Sequence, residues 1–499
     1  MKLTRFALPF ALIPGAALAD VTPQDVWNNL TAAYGAAGLT LDGTVTPDGD
    51  NLTLSGGVLR VDYPQGLGSA TLTFPNTTLT AMGDGTVGIV TDPTYLMELA
   101  VDVPDTGLLT GNITIAQTNV SAVASGNPGD VTYTSSADKV DVLINNVSIP
   151  GEELDFSLEV SGDGYTSTTR VTEGENLTIT LDNLNGAATS NFVMAAGPMR
   201  QESTSAGGEL RMLGTIVLPP EMNIMDLTPA LLSGLSMTLT TQAAASEGTS
   251  KTFMDGALTN EQIQSTGATT ANMTLNADGF AVDGTADGFA LTFTDQNLLP
   301  FPVSVAGGEL AVDVAVPLVA RDTPQDFKYG VSFQDLSIDE SLWGMFDPAG
   351  SLDQSPADLT IDVSGSLNWG VNLLNVEELI ALEDAQTSPV TINSLSINDI
   401  GLAALGAAAN ATGAFTFDNA DMDTIPGMPR PEGSAKITAT GLNAAIDQLV
   451  GAGFIPEEEA MMPRMMMGMF ARTVGEDQLE TEVEVNAEGH VIVNGQRMR

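Results

Sequence analysis

From Leu39 to the C-terminus, apolar residues recur at every second position in short runs. Thr71-Leu72-Thr73-Phe74, Asn112-Ile113-Thr114-Ile115 and Asp155-Phe156-Ser157-Leu158-Glu159-Val160 alternate in this way, as do residues 177–181, 236–240, 310–314, 359–363, 481–485 and 490–493. A period of two is that of a strand, whose successive side chains point to opposite faces. Clean alternation of apolar with Thr, Ser, Asp or Glu is that of antiparallel strands with one wet face. Clusters of turn-forming residues separate the runs: Pro47-Asp48-Gly49-Asp50, Ser161-Gly162-Asp163-Gly164, Ala277-Asp278-Gly279 and Ala487-Glu488-Gly489. The 51 glycines fit many short turns. The pattern predicts a mainly β fold, an extended twisted antiparallel sheet or curved β-groove with a few short amphipathic helices.

A helical period appears in a few places. Thr22 is placed as an N-cap, Pro23 at the first helical position and Asp25 at the positive end of the dipole, before Val26, Trp27, Leu30 and Tyr34 at helical spacing. Gly35 or Gly38 ends this segment. Shorter helices are predicted over 228–232, 339–346 and 376–382, and a pair over 442–450 and from Pro456 to about 472. The resulting layout is a leader (1–19), an N-terminal helix (20–38), a β-rich body (39–440), and a helical pair with a C-terminal β-hairpin (441–499). Val142-Leu143-Ile144-Asn145-Asn146-Val147-Ser148-Ile149 echoes Val390-Thr391-Ile392-Asn393-Ser394-Leu395-Ser396-Ile397 about half a chain away, so the body reads as one unit or as two related halves, about 39–220 and 221–440.

The first residues change the picture from fold to compartment. Lys2 and Arg5 precede an apolar run to Leu18 that is too short to span a bilayer, which needs ~20 apolar residues. The run ends in Ala17-Leu18-Ala19, the small-x-small pattern of a signal-peptidase site. Export to the periplasm with cleavage after Ala19 is expected, and no transmembrane segment thereafter. The net charge of −47 repels nucleic acid and attracts cations or basic partners, and a hydrophobic share of 43% provides material for a core. With no Cys, neither disulfides nor thiolate chemistry is available, and the single His490 excludes most zinc-enzyme, triad and histidine acid–base designs.

Three stretches carry a family resemblance: Val21-Thr22-Pro23-Gln24-Asp25-Val26-Trp27, Leu336-Ser337-Ile338-Asp339-Glu340-Ser341-Leu342-Trp343 through Phe346-Asp347-Pro348-Ala349-Gly350, and Glu488-Gly489-His490-Val491-Ile492-Val493-Asn494-Gly495-Gln496. Together they resemble the long exported form of the DUF2125 family, a domain of unknown function from alphaproteobacteria. The resemblance spans essentially the whole chain after the leader. It implies the compartment and the fold, and it carries over no catalytic residues.

The oddest local composition is a methionine cluster: Met461, Met462, Met465, Met466, Met467 and Met469, followed by Phe470. Met461/Met465, Met462/Met466 and Met465/Met469 are i,i+4 pairs. Three readings stand: gap-filling in a hydrophobic interface, an adaptable binding surface centred on Met465, Met469 and Phe470, or a soft thioether site for Cu(I) at Met461, Met462, Met465, Met466 and Met469. Asp418, Asp421 and Asp423, and Asp278, Asp283 and Asp287, are acid clusters in which to look for calcium, though no complete calcium loop occurs. Leu342, Trp343 and Phe346 are expected to anchor a short helix on the sheet, and His490 to begin the last strand. Paired carboxylates have no specificity among 63 acids, and aromatics at 5% supply few sugar platforms or membrane girdles. The sequence therefore points to a non-enzymatic binding or scaffold protein of the cell envelope, without cofactor, whose partner is a lipid or another envelope protein. A metal-handling protein is the alternative.

Overall fold

The computed structural model of the protein describes residues 20–498 apart from 64–67, 104–106, 224, 297–300 and 384–388. The expected leader, with its cleavage after Ala19, and Arg499 lie outside the described residues. Among the described residues, thirty-one strands, all paired antiparallel, join in one sheet, so the fold is mainly β as the alternation predicts.

The sheet is an up-and-down meander in which most long strands are broken in the middle. Leu177–Asn185 and Ala188–Ala196 run end to end along the single strand Leu154–Thr172. Met199–Gly207 and Leu210–Leu218 run along them in turn, followed by Ser236–Ala243 with Ser246–Met254 and Ala257–Thr266 with Thr269–Asn276. Gly279–Ala286 with Phe289–Asp295, Val303–Gly307 with Glu309–Val316 and the single strand Gln325–Ile338 continue the order. The breaks line up as a crease that divides the sheet into two arms. Thr40–Asp48 pairs on one side only, with Asn51–Asp62, and the last strands pair among themselves, so the meander does not close into a barrel among the described residues.

Residues facing one way are two apart within each arm and three apart across the crease. Gly162 is followed by Tyr165, Asn185 by Ala188, Gly207 by Leu210, Ala243 by Ser246, Thr266 by Thr269 and Gly307 by Leu310. One extra residue inverts the alternation, as in a β-bulge, and so keeps the apolar side on the same face in both arms. The crease also demands small residues. A Cβ on Gly186 would run into the carbonyl oxygen of Asp163, and one on Gly267 into that of Asp287. The expected turn at Ser161-Gly162-Asp163-Gly164 is a correction: these residues lie inside Leu154–Thr172, where the register passes from Asp163 opposite Lys139 to Tyr165 opposite Ala137. Gly164 takes φ +67°, a conformation that serves a bulge as well as a turn.

The two faces differ in charge. The outer face carries cross-strand or same-strand ion pairs, among them Arg170–Asp130 at 2.6 Å, Arg200–Glu202 at 2.7 Å, Arg211–Asp182 at 2.9 Å and Lys251–Glu261 at 3.2 Å. The inner face carries the core. Val87, Val131, Leu79, Leu52 and Val26 form one buried cluster, and Val171, Leu177, Leu218, Leu231 and Leu235 a second.

Both clusters lie on one arm, under a roof made by helices α1 (Pro23–Ala36) and α2 (Thr228–Leu232). Thr22 and Asp25 close a capping box at the start of α1, as expected. Val26, Trp27 and Leu30 enter the first cluster, and Ala32, Ala33 and Ala36 touch the second. Fully buried Asn29 pins the helix to the sheet: its amide donates to Glu173 at 2.9 Å, and Tyr133 donates to its carbonyl oxygen at 2.9 Å. Burial pushes the Tyr133 phenol upward, so it stays a donor.

The remaining helices, α3 (Glu340–Phe346), α4 (Val376–Glu383), α5 (Leu442–Gly451) and α6 (Glu457–Phe470), sit toward the C-terminal third. Asp339 caps α3, accepting from the Leu342 amide at 2.9 Å. Of the three side chains expected to anchor α3, Leu342 and Trp343 are half-buried and Phe346 is exposed. Strand Gln478–Val485 pairs with Arg430–Thr440, so the C-terminal strands extend the same sheet.

Candidate functional site

Where the arms meet on the inner face, the crease opens into a cavity of about 670 Å³, a volume in the range of roughly 300–1,000 Å³ usual for ligand pockets. Val140, Val142 and Val160 line it from one arm, and Leu210 and Ala243 from the other. Small residues at the three-residue step, Gly186, Gly207, Gly208 and Ala244, form its floor. The floor follows from the crease: side chains excluded there by the approaching backbone leave room for something else. Glu247 is the one ionisable residue in the lining.

From the cavity the inner face continues outward along the unroofed arm. Cross-strand neighbours Tyr95 and Ile115, Ile115 and Val142, and Leu158 and Phe192 carry it one way. Leu291 and Val305 carry it on the far side. Phe156 and Phe192 meet edge to face, with centroids 5.6 Å apart. Among the described residues, none of the hydrophobic side chains on this arm's strands is buried.

The methionine cluster sits elsewhere, on α6. Met461, Met462, Met465, Met466 and Met469 are 50–63% exposed, while Ala460 is the buried residue of the helix and Met467 and Phe470 are half-buried. Gap-filling in an interface of this chain therefore does not hold for those five. Of the proposed binding surface, Met465 and Met469 are exposed and Phe470 is turned partly inward.

The acid clusters are engaged with the protein itself. Arg430 holds Asp418 at 2.9 Å and Asp421 at 3.0 Å, and Asp421 also accepts from the Thr424 amide at 3.0 Å. These hydrogen bonds, led by that of Thr424, lower the Asp421 pKa. Asp278, Asp283 and Asp287 are strung along Gly279–Ala286 and its flanks, a span of about 30 Å at ~3.3 Å per residue, so they do not converge on one ion. Asp283 accepts from Asn272 at 2.9 Å. No group of three or more His, Asp or Glu positioned to hold a metal occurs among the described residues. His490, expected to begin the last strand, instead precedes Val491–Val493, which Gln496–Arg497 follows, and its amide donates to Asn486 at 3.0 Å.

The sequence reading missed the crease. Its signal was present as changes of parity inside apolar runs beside small pairs: Gly207-Gly208, Ala244-Ala245 and Gly307-Gly308. No helix is long and apolar enough to cross a membrane among the described residues. No family model matches the chain, and no curated protein matches it. Among solved structures, the ferric citrate transporter FecA in its unliganded form aligns over 92% of this chain and 76% of its own at 10% identity, with a TM-score of 0.13, which carries no argument.

Proposed function

We propose that this chain is a non-enzymatic, exported protein of the periplasm, related to the DUF2125 family, that holds an acyl chain of a lipid along its creased inner face. The supporting observation is the unroofed arm, an apolar face continuous with a cavity and kept on one side of the sheet by the three-residue step. Apolar area of this kind is stabilised by removal from water at roughly 25 cal/mol per Å². An extended apolar occupant gains that energy where, among the described residues, the arm's strand side chains stay unburied. Native mass spectrometry of the protein purified from the bacterial envelope, followed by lipid extraction, tests the reading. A co-purifying acyl lipid is expected, and a protein that carries none and takes up none from vesicles overturns it.

The exposed methionines of α6 favour a second reading, a soft-metal or envelope-protein contact at Met461, Met465 and Met469. Titration calorimetry with Cu(I) decides the metal form: no binding tighter than roughly millimolar, about 4 kcal/mol, ends it.

A further inference from the structure

The inner face of the open arm changes character over three adjacent strands. Met199–Gly207, Ser246–Met254 and Ala257–Thr266 place Gln201, Ser203, Ser205, Ser250, Gln262 and Gln264 where the adjoining strands place Phe192, Leu291 and Phe293. Polar residues on a wet outer face need no explanation, and the outer face of these same strands is charged, with Arg200, Glu202, Lys251 and Glu261. Here the inner face is polar as well, and it is polar without charge. The cavity opens onto this patch, since Ser190, Ser205, Ser246, Gln264 and Thr266 belong to its lining together with the valines.

We propose that the cavity takes an amphiphile with an uncharged, hydrogen-bonding head of the glycosyl or polyol kind, its head on the Ser/Gln patch and its acyl chain on the adjoining apolar strands. The proposal rests on the acyl-chain reading above and adds the class of head. The patch has hydrogen-bonding capacity to give. Ser190 and Ser205 pair at 2.7 Å and Ser203 donates to Ser250 at 3.0 Å, but the Gln201–Ser250 and Gln262–Gln264 contacts are long, at 3.4 and 3.3 Å. Each hydroxyl and amide has further donor and acceptor positions, the inventory that sugar or glycerol hydroxyls match.

The charge pattern excludes the common alternative, a phosphate head. No Lys or Arg lines the cavity, and its single ionisable neighbour, Glu247, is an acid. Among the described residues, the cations on the strands beside it, Arg200, Arg211 and Lys251, belong to the outer face and are paired there with Glu202, Asp182 and Glu261. An anion in a half-buried site without a counter-charge is strongly disfavoured, whereas hydroxyls there need only hydrogen bonds.

The test uses the full chain and vesicles with equal amounts of a monoglycosyl diacylglycerol and a phosphatidylglycerol of the same acyl chains, read by native mass spectrometry. Retention of the glycosyl lipid about tenfold over the anionic one is expected, a difference of ~1.4 kcal/mol. The double variant Ser205→Val, Gln264→Leu keeps the total lipid retained but loses most of that preference. Ser246→Lys places a cation in the cavity, shifts retention toward phosphatidylglycerol, and carries the test if the double variant does not fold. Equal retention of the two lipids by the unaltered protein, or a preference untouched by the variants, overturns the head assignment and leaves the acyl-chain reading standing. Retention of neither lipid overturns both.

Discussion

On the roofed arm, Leu79, Val87, Val131, Val171, Leu177 and Leu218 are buried under α1, α2 and the loops beside them. On the open arm, the residues that continue the same strands across the crease, such as Phe192 after Leu177–Asn185 and Val305 before Glu309–Val316, stay half-exposed among the described residues. Both arms alternate alike and, apart from the Ser/Gln patch on Met199–Gly207, Ser246–Met254 and Ala257–Thr266, present the same apolar side. What separates them is a helix from the far N-terminus that covers only one. An apolar strand face is thus buried or left open according to what lies over it, and this protein has one of each along the same strands.

The comparison breaks if the arms turn out energetically equal. Leu231→Ala, at a residue 1% exposed in the roof, is expected to destabilise by ~2–5 kcal/mol in urea denaturation. Leu291→Ala on the open arm is expected to cost about 1 kcal/mol or less while reducing lipid retention. Similar losses from the two substitutions would mean that the open arm is core. Gly267→Val tests the crease between the arms. Its side chain meets the Asp287 carbonyl, so the strands must shift. A loss of roughly 1–3 kcal/mol is expected, with weaker lipid retention. Unchanged stability would mean that the strands part there without strain.

The smallest effect concerns the outer face. The hydrogen bond from Arg170 holds the Asp130 carboxyl below the usual carboxylate range. A lowered folded-state value means that the stabilisation is fully present above the ordinary value, near pH ~4, and is lost as pH falls through the lowered one. Asp130→Asn should therefore lower the neutral-pH plateau of a thermal-melting profile slightly, leave the acid end nearly unchanged and so flatten the acid limb, a small effect as suits a pair half-open to water. A larger change in acid than at pH 7 would contradict this.

Much of the local structure was legible in the residues. The capping box at Thr22 and Asp25, the cap at Asp339, and the strands around 155–160, 310–314 and 481–485 all stand where period and capping chemistry put them. Ser161–Gly164 misled because a glycine of positive φ serves a turn and a mid-strand step equally, and only the partner strand distinguishes them. Phe346 misled because an apolar side chain on a short helix is buried only if a surface happens to face it. The cavity was not legible as such, since Val142, Leu210 and Ser246 lie far apart in the chain and meet only through the pairing of intervening strands.

The sequence by itself determined that the chain forms many antiparallel strands, which side of each is apolar, and where the helices begin. These are consequences of side-chain spacing and capping within a few residues. It also determined that neither disulfides nor cysteine chemistry enter. The tertiary structure decided that short strands join end to end across a crease, that α1 roofs one arm and leaves the other open, and that a polar patch meets an apolar trough in one cavity. Those outcomes depend on which distant segments approach one another, and alternation, being a local property, is the same whether or not anything comes to lie above it.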